Sequence, residues 1–152
     1  MDDDLKKIMG CTCLRMRRAT RRVTQVYDRA LEPAGLTVNQ FGLLGYLYGA
    51  SRAPAQASSI GSIADWLGMD PTTLNRNLKP LLKKAMVKNA TDPADGRVRI
   101  VRITDKGLRT LRGALPRWRS AQADVEKAIG GQSIAELNAL LDLSASKLCA
   151  SE

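Results

Sequence analysis

Gly61-Ser-Ile63-Ala-Asp-Trp66-Leu-Gly68-Met-Asp70-Pro71-Thr72-Thr73-Leu74-Asn75-Arg76-Asn-Leu78-Lys79 is the stretch on which the fold of this chain turns. Gly68 suits a helix end, because it enters the left-handed conformation without steric cost. Asp70 then offers a carboxylate to the free N–H groups of a new first turn. Pro71 stands at the first helical position, where its missing N–H costs nothing. A helix stop and a helix start so close together make the tight corner of a helix-turn-helix unit. On the second helix Leu74, Leu78, Leu81 and Leu82 share an apolar face. The opposite face carries Thr72, Thr73, Asn75, Arg76 and Lys79. Hydroxyl, amide and guanidinium groups of this kind read base edges or grip phosphates. Arg76 is the foremost candidate for a base contact; the competing reading of such a row is a solvated helix face.

The next segment decides between those readings. Val87 to Thr91 and Val98 to Ile103 alternate apolar with polar or basic residues, the period of half-buried strands. Between them Asp92-Pro-Ala-Asp95-Gly96 is rich in turn formers and contains the Asp-Gly pair favoured in hairpins. Arg97, Arg99 and Arg102 load one side of the expected hairpin with positive charge. A basic ribbon beside a recognition helix can enter a minor groove, where arginine is favoured. Two helices, a sharp turn and a basic hairpin together predict a winged helix-turn-helix. The candidate DNA contacts are Thr72, Thr73, Asn75, Arg76, Lys79, Arg97 and Arg99.

Further pieces extend the pattern along the chain: Tyr27-Asp-Arg-Ala-Leu31, Gly35-Leu-Thr-Val-Asn-Gln-Phe41, Leu74-Asn-Arg-Asn-Leu78, Asp92-Pro-Ala-Asp-Gly-Arg97 and Ile103-Thr-Asp-Lys-Gly107. In this order and spacing the chain resembles the MarR family of transcriptional regulators. The resemblance implies a mainly α protein with a small β-hairpin wing, in the α+β class. It further implies a homodimer that represses transcription and is released by a small molecule or by oxidation. Two departures stand out: the family often has Arg where Gly96 stands, and usually has Gly where Ala85 stands.

Bulk properties agree with a polyanion partner. The chain has 152 residues, enough for one domain with a substantial core. Its 24 Lys and Arg against 15 Asp and Glu leave a net charge of +9. Such a balance favours DNA through counterion release. No apolar run approaches the roughly 20 residues of a membrane-spanning helix. The acidic start Met1-Asp-Asp-Asp4 has no secretory core behind it, which argues against export and for a cytoplasmic protein.

The terminal segments read as dimerisation machinery. Leu5, Ile8, Thr12, Met16, Ala19, Val23, Val26 and Ala30 step by three or four, one stripe along a long helix. Leu108, Leu111, Leu115, Trp118, Gln122, Val125 and Ile129 repeat the pattern. Gly130-Gly131 ends that helix, and Ser133 with Glu136 predicts a capping box for a last one. Leu137, Leu141, Ser144 and Leu148 stripe the last helix in turn. Prolines 80 and 116 predict kinks. The expected organisation is a single chain over 1–152, with dimerisation helices at 1–34 and 106–152 around a DNA-binding region at 35–105. A two-fold dimer sets two recognition helices about one DNA turn apart, so the operator is expected to be a pseudo-palindrome.

Thr37-Val-Asn-Gln40 predicts another capping box, opening a helix through Phe41, Leu44, Leu47 and Tyr48. Phe41, Tyr46, Tyr48 and Trp66 are candidates to line an apolar ligand pocket, the alternative being simple core. By the resemblance, a small aromatic acid is the ligand class.

The cysteines supply the other candidate sensor. Cys13 lies fourteen positions before Tyr27, and Arg15, Arg17 and Arg18 nearby favour the reactive thiolate. The resemblance implies a reactive cysteine near this point in a peroxide-sensing branch of the family, close to tyrosines of the dimer partner. Cys11, Cys13 and Cys149 together suggest a site for a thiophilic ion such as arsenite or zinc. Residues two apart on a helix point about 200° apart, so Cys11 and Cys13 share an ion only if the helix starts late. Three idle cysteines are the alternative. An odd count argues against a disulfide framework.

Other classes fare worse. The chain contains no His, which removes Ser-His, Cys-His and His-ligated metal chemistry. There is no phosphate-cradling glycine loop, so neither an enzyme nor a cofactor is expected. A Cys-dependent enzyme or an RNA-binding winged helix are the rival readings.

Overall fold

The computed structural model describes residues 3–53, 58–92 and 95–149. In chain order it runs α1 (Asp3–Met9), α2 (Thr12–Leu31), a 3-10 turn (Glu32–Ala34), α3 (Val38–Arg52), α4 (Ile60–Leu67) and α5 (Pro71–Lys83). A hairpin of β1 (Val87–Thr91) and β2 (Arg99–Ile103) follows, then α6 (Asp105–Ile129) and α7 (Gly131–Cys149). This is the mainly α, winged arrangement the sequence predicts.

Most boundaries follow from local chemistry. Thr37 and Gln40 form the predicted capping box: the Gln40 N–H donates to Thr37 Oγ1 at 3.3 Å, and the Thr37 N–H to Gln40 Oε1 at 3.2 Å. Ser59 caps α4 by accepting from the Ser62 N–H. Gly68 ends α4 with φ 59°, and the Met69 N–H reaches back to the Ala64 carbonyl at 2.9 Å. Asp70 caps α5 as its type requires, accepting from the Thr73 N–H at 2.9 Å.

The expected single helix from Leu5 to Leu31 is two. The N–H groups of Gly10 and Cys11 bond the carbonyls of Lys7 and Ile8, three residues back, which tightens and closes α1. Glycine in a helix interior costs about 1 kcal/mol relative to alanine, so the stripe is interrupted there. The capping box expected at Ser133 is also absent. Gly130, at φ 94°, turns the chain so sharply that α7 begins at Gly131. Glu136 Oε1 accepts instead from Gln132 Nε2 at 3.2 Å. Pro80 and Pro116 both lie inside helices that continue beyond them.

The hairpin pairs Val87 with Ile103, Asn89 with Val101 and Thr91 with Arg99. Ile100 and Val101 are neighbours, yet both are buried, where simple alternation predicts one exposed. The reason lies outside the hairpin. The Val101 N–H donates to the Ser58 carbonyl at 2.9 Å, and Ser59 forms an antiparallel bridge to Ile100. Ser58 and Ser59, just before α4, thus serve as a second, short partner for β2.

The main core gathers around α3. Leu43, Leu44, Leu47, Ile63, Leu74 and Leu81 are almost completely buried, each worth about 1.5–3 kcal/mol on removal from water. Leu82, expected on the same face, is 36% exposed near the end of α5, where Leu74, Leu78 and Leu81 are at most 2% exposed. A smaller cluster of Tyr27, Ala121 and Val125 joins α2 to α6. Gln122 sits within the α6 stripe because its Oε1 accepts from the Tyr27 hydroxyl, while its Nε2 donates to Glu126 Oε1 at 2.7 Å. Burial, and secondarily the Glu126 charge, raise the Tyr27 pKa.

Candidate nucleic-acid interface

Thr72, Asn75, Arg76 and Lys79 are all exposed on α5. Their spacing of three and four residues places them on one face. Leu74, Leu78 and Leu81 occupy the buried side. Thr73 is different: half-buried, it donates its hydroxyl proton to Asp70 Oδ2 at 2.6 Å as well as its N–H to Oδ1. Those two bonds from Thr73 hold the Asp70 carboxyl below its ordinary pKa. Thr73 therefore serves the cap, with only oxygen lone pairs left for another partner. Asn77, which the sequence did not single out, donates from Nδ2 to the Thr73 carbonyl at 3.0 Å and braces the same turn.

In the hairpin Asp95 organises the tip. Its Oδ1 accepts from the Arg97 N–H and its carbonyl from the Val98 N–H, both at 2.9 Å. This leaves the Arg97 side chain exposed, with Arg99 exposed at the start of β2. Arg102 was expected on their side. Strand periodicity instead places it on the other face, directly across from Lys88. The wing is therefore basic on both faces.

A cavity of about 340 Å³ lies between α3 and α6, walled by Phe41, Tyr48, Leu111, Arg112, Leu115 and Trp118 among others. Phe41 and Trp118 stack with ring centroids 6.0 Å apart. Arg52 Nη1 donates to the Tyr48 hydroxyl at 3.0 Å, and its guanidinium lies 5.6 Å from the ring centroid. Arg52 first, then Arg112, lowers the Tyr48 pKa. Of the four aromatic candidates the structure brings Phe41 and Tyr48 to this cavity. Tyr46 and Trp66 pair with each other elsewhere, centroids 4.8 Å apart, Tyr46 buried and Trp66 largely exposed. Trp118 and Arg112 were missed as lining residues. Trp118 was legible only as part of a stripe, and Arg112 carried no signal until α6 was placed against α3. A second, larger hollow of about 440 Å³ runs between α2, α6 and α7, with Met16, Val23, Tyr27, Ile134 and Leu137 in its walls.

Cys11 stands at the N-cap of α2 and Cys13 in its first turn, both exposed. The Arg15 Nε donates to the Gly10 carbonyl at 3.2 Å beside them. Along one helix Cys13 and Tyr27 are about 21 Å apart, so no contact between them arises within one chain. Cys149 closes α7, but its side chain lies outside the described residues. Among the described residues no three His, Cys, Asp or Glu side chains gather to hold an ion. No described helix is long and apolar enough to cross a membrane.

Helix, turn, helix and basic hairpin, framed by long terminal helices, define a winged helix-turn-helix protein. Solved structures bear this out. The chain is 34% identical to the transcriptional regulator MosR of M. tuberculosis, solved in complex with DNA, over 88% of this chain and 98% of that one, with a TM-score of 0.68. A MarR mutant from E. coli complexed with operator DNA is 20% identical, covers 94% and 99% of the two chains, and superposes with a TM-score of 0.77. CouR from Rhodococcus jostii RHA1, bound to p-coumaroyl-CoA, is 22% identical over 94% and 92%, with a TM-score of 0.71. Neither a protein-family model nor a curated protein matches the chain. The chain belongs to the MarR family of transcriptional regulators, and its relatives are regulators rather than enzymes.

Proposed function

We propose that this regulator is a homodimeric repressor that reads a pseudo-palindromic DNA operator. The observation that carries the reading is the exposed row Thr72, Asn75, Arg76 and Lys79 beside a wing that is basic on both faces. In this reading residues 35–105 form the DNA-binding region, and 1–34 with 106–152 the dimerisation helices. Arg76 and Asn75 contact base edges, Thr72 and Lys79 the adjoining backbone, and Arg97 and Arg99 the neighbouring minor groove, while Thr73, expected in this row, holds the Asp70 cap instead. The test is enrichment of duplexes from a random DNA library, followed by competition with structured RNA. Recovery of a two-fold symmetric site supports the proposal; preferential capture by RNA, or no enriched site, refutes it.

The effector in this reading is a small aromatic acid held between α3 and α6. The Phe41 and Trp118 rings supply a flat apolar wall, and Arg52 and Arg112 supply charge for a carboxylate. A panel of benzoates and cinnamates, scored for release of the enriched DNA, tests it. A second reading, release by thiol modification, is supported by the exposure of Cys11 and Cys13 at the break between α1 and α2. Peroxide or arsenite then releases wild-type protein but not Cys13→Ser; release of both moves the sensor elsewhere.

A further inference from the structure

The C-terminal end of α5 is fastened to the start of α6 and to the 3-10 turn that follows α2. Beyond α5, Ala85 adopts φ 53°, in the left-handed region where alanine is strained. Thr104, the cap of α6, holds that turn. Its hydroxyl proton is shared between the carbonyls of Ala85 at 2.8 Å and Met86 at 3.0 Å. Its own N–H donates to the Met86 carbonyl at 3.0 Å. The same hydroxyl oxygen accepts from the Gly107 N–H at 3.1 Å, so one side chain caps α6 and ties it to the exit of α5. Gly107 makes the closeness possible: a Cβ there would lie 2.1 Å from the Met86 carbonyl oxygen. On the other side, Lys84 Nζ donates at 2.8 Å to the carbonyl of Gly35, which ends the 3-10 turn after α2.

We propose that Thr104, Gly107 and Lys84 form a joint that sets the angle of α5 against the long helices, with Thr104 as the principal positioning residue for DNA recognition. The inference rests on the DNA-binding reading above. In a dimer the long helices fix the frame, so the angle at this joint sets the separation of the two recognition helices. The joint also adjoins the cavity. The Leu108 N–H donates to the Thr104 carbonyl at 2.9 Å, and Leu108, Leu111 and Arg112 line the cavity wall. A ligand that displaces the first turns of α6 therefore moves the exit of α5 with it.

The experiment uses the duplex enriched by the wild-type protein, together with versions carrying one base pair inserted or deleted between half-sites. Thr104→Asp keeps a good helix cap but cannot donate to the Ala85 and Met86 carbonyls. It is expected to bind the enriched duplex about tenfold more weakly, as loss of its shared donor bonds predicts, and to discriminate less against altered spacing. Thr104→Val should do the same, and Thr104→Ser, which keeps the hydroxyl, should restore both affinity and spacing preference. Lys84→Met cuts the exposed tie without touching the core, so the spacing readout is available from a folded protein in any case; it should relax spacing preference more weakly. Melting curves and dimer mass identify variants that fail to fold, and a generally destabilised protein loses affinity for all spacings alike. Undiminished spacing preference in the folded donor-deficient variants, or failure of Ser to rescue, overturns the joint. If the wild-type protein enriches no duplex, the DNA reading falls, and the joint with it.

Discussion

The centre of the chain and its two ends treat leucine in opposite ways. In the centre Leu43, Leu44, Leu47, Leu74 and Leu81 are at most 1% exposed within a single chain. At the ends Leu5, Ile8, Leu140 and Leu148 are 53%, 54%, 61% and 69% exposed. The central core closes within one chain, with Leu31, Leu111 and Ala114 of the flanking helices taking part, so its stability is a property of one chain. The ends leave exposed apolar residues of the kind that mark an interaction surface, which is why the assembly proposed above is read from them. The difference also separates two kinds of sequence signal, since a stripe marks an apolar face but does not say which chain buries it.

The sharpest way to break this contrast is to charge the ends. Leu137→Glu combined with Leu141→Glu is expected to leave the central fold intact, yielding a monomer by light scattering. It should weaken operator binding by about 100-fold or more, because two linked half-sites gain that much over one. A dimer that persists would show that other surfaces hold it together. Next in size, Arg76→Ala should cost about 1–3 kcal/mol of operator affinity and relax preference at one position in each half-site. Unchanged binding in a competition assay would remove Arg76 from the reading set. Arg97→Ala should have a smaller, sequence-independent effect and lower the salt slope of dimer binding by about 2, close to 1 for each of the two copies. A changed base preference would mean that the wing reads sequence.

Two smaller effects probe the centre alone. Ala85→Gly relieves a left-handed alanine but gains freedom in the unfolded chain. The net expectation is about 0.5–1 kcal/mol of added stability in urea unfolding, with dimer mass unchanged. A loss of stability would mean that the alanine methyl contributes contacts outweighing its strain. Asp70 gives a pH signature. Thr73 depresses its folded pKa, so the stabilisation is present above the unfolded carboxyl pKa. It is lost as pH falls through the folded value, below the usual carboxylate range. Asp70→Ala should be less stable than wild type at neutral pH, with the gap closing in acid; a gap that persists there would assign the effect to packing.

How much of this was legible in advance differs by residue. Asp70, Pro71 and Gly68 announced the corner between α4 and α5, and Thr37 with Gln40 announced α3, because each acts on backbone groups a few residues away. The row of Thr72, Asn75, Arg76 and Lys79 followed from helical period alone. Thr73 was placed in that row too, yet its hydroxyl is bonded to Asp70; the cap and the reading face compete for the same residue. The helix break at Gly10 was weighed only as a late start for α2, because an uninterrupted stripe outweighed a single glycine. The expected side for Arg102 failed for a simpler reason: it lies an odd number of positions from Arg97 and Arg99, and strand sides alternate.

From sequence by itself came the starts of α3 and α5, the corner between α4 and α5, the hairpin and the polar face of α5, since capping bonds, helical period and strand alternation act among residues close along the chain. Only tertiary structure decided which aromatics share a cavity, pairing Phe41 with Trp118 and Tyr46 with Trp66. Packing likewise recruited Ser58 and Ser59 to β2 and tied Thr104 to the exit of α5. These contacts join segments far apart along the chain, and their existence depends on how whole helices pack, a quantity that residue period and capping chemistry do not encode.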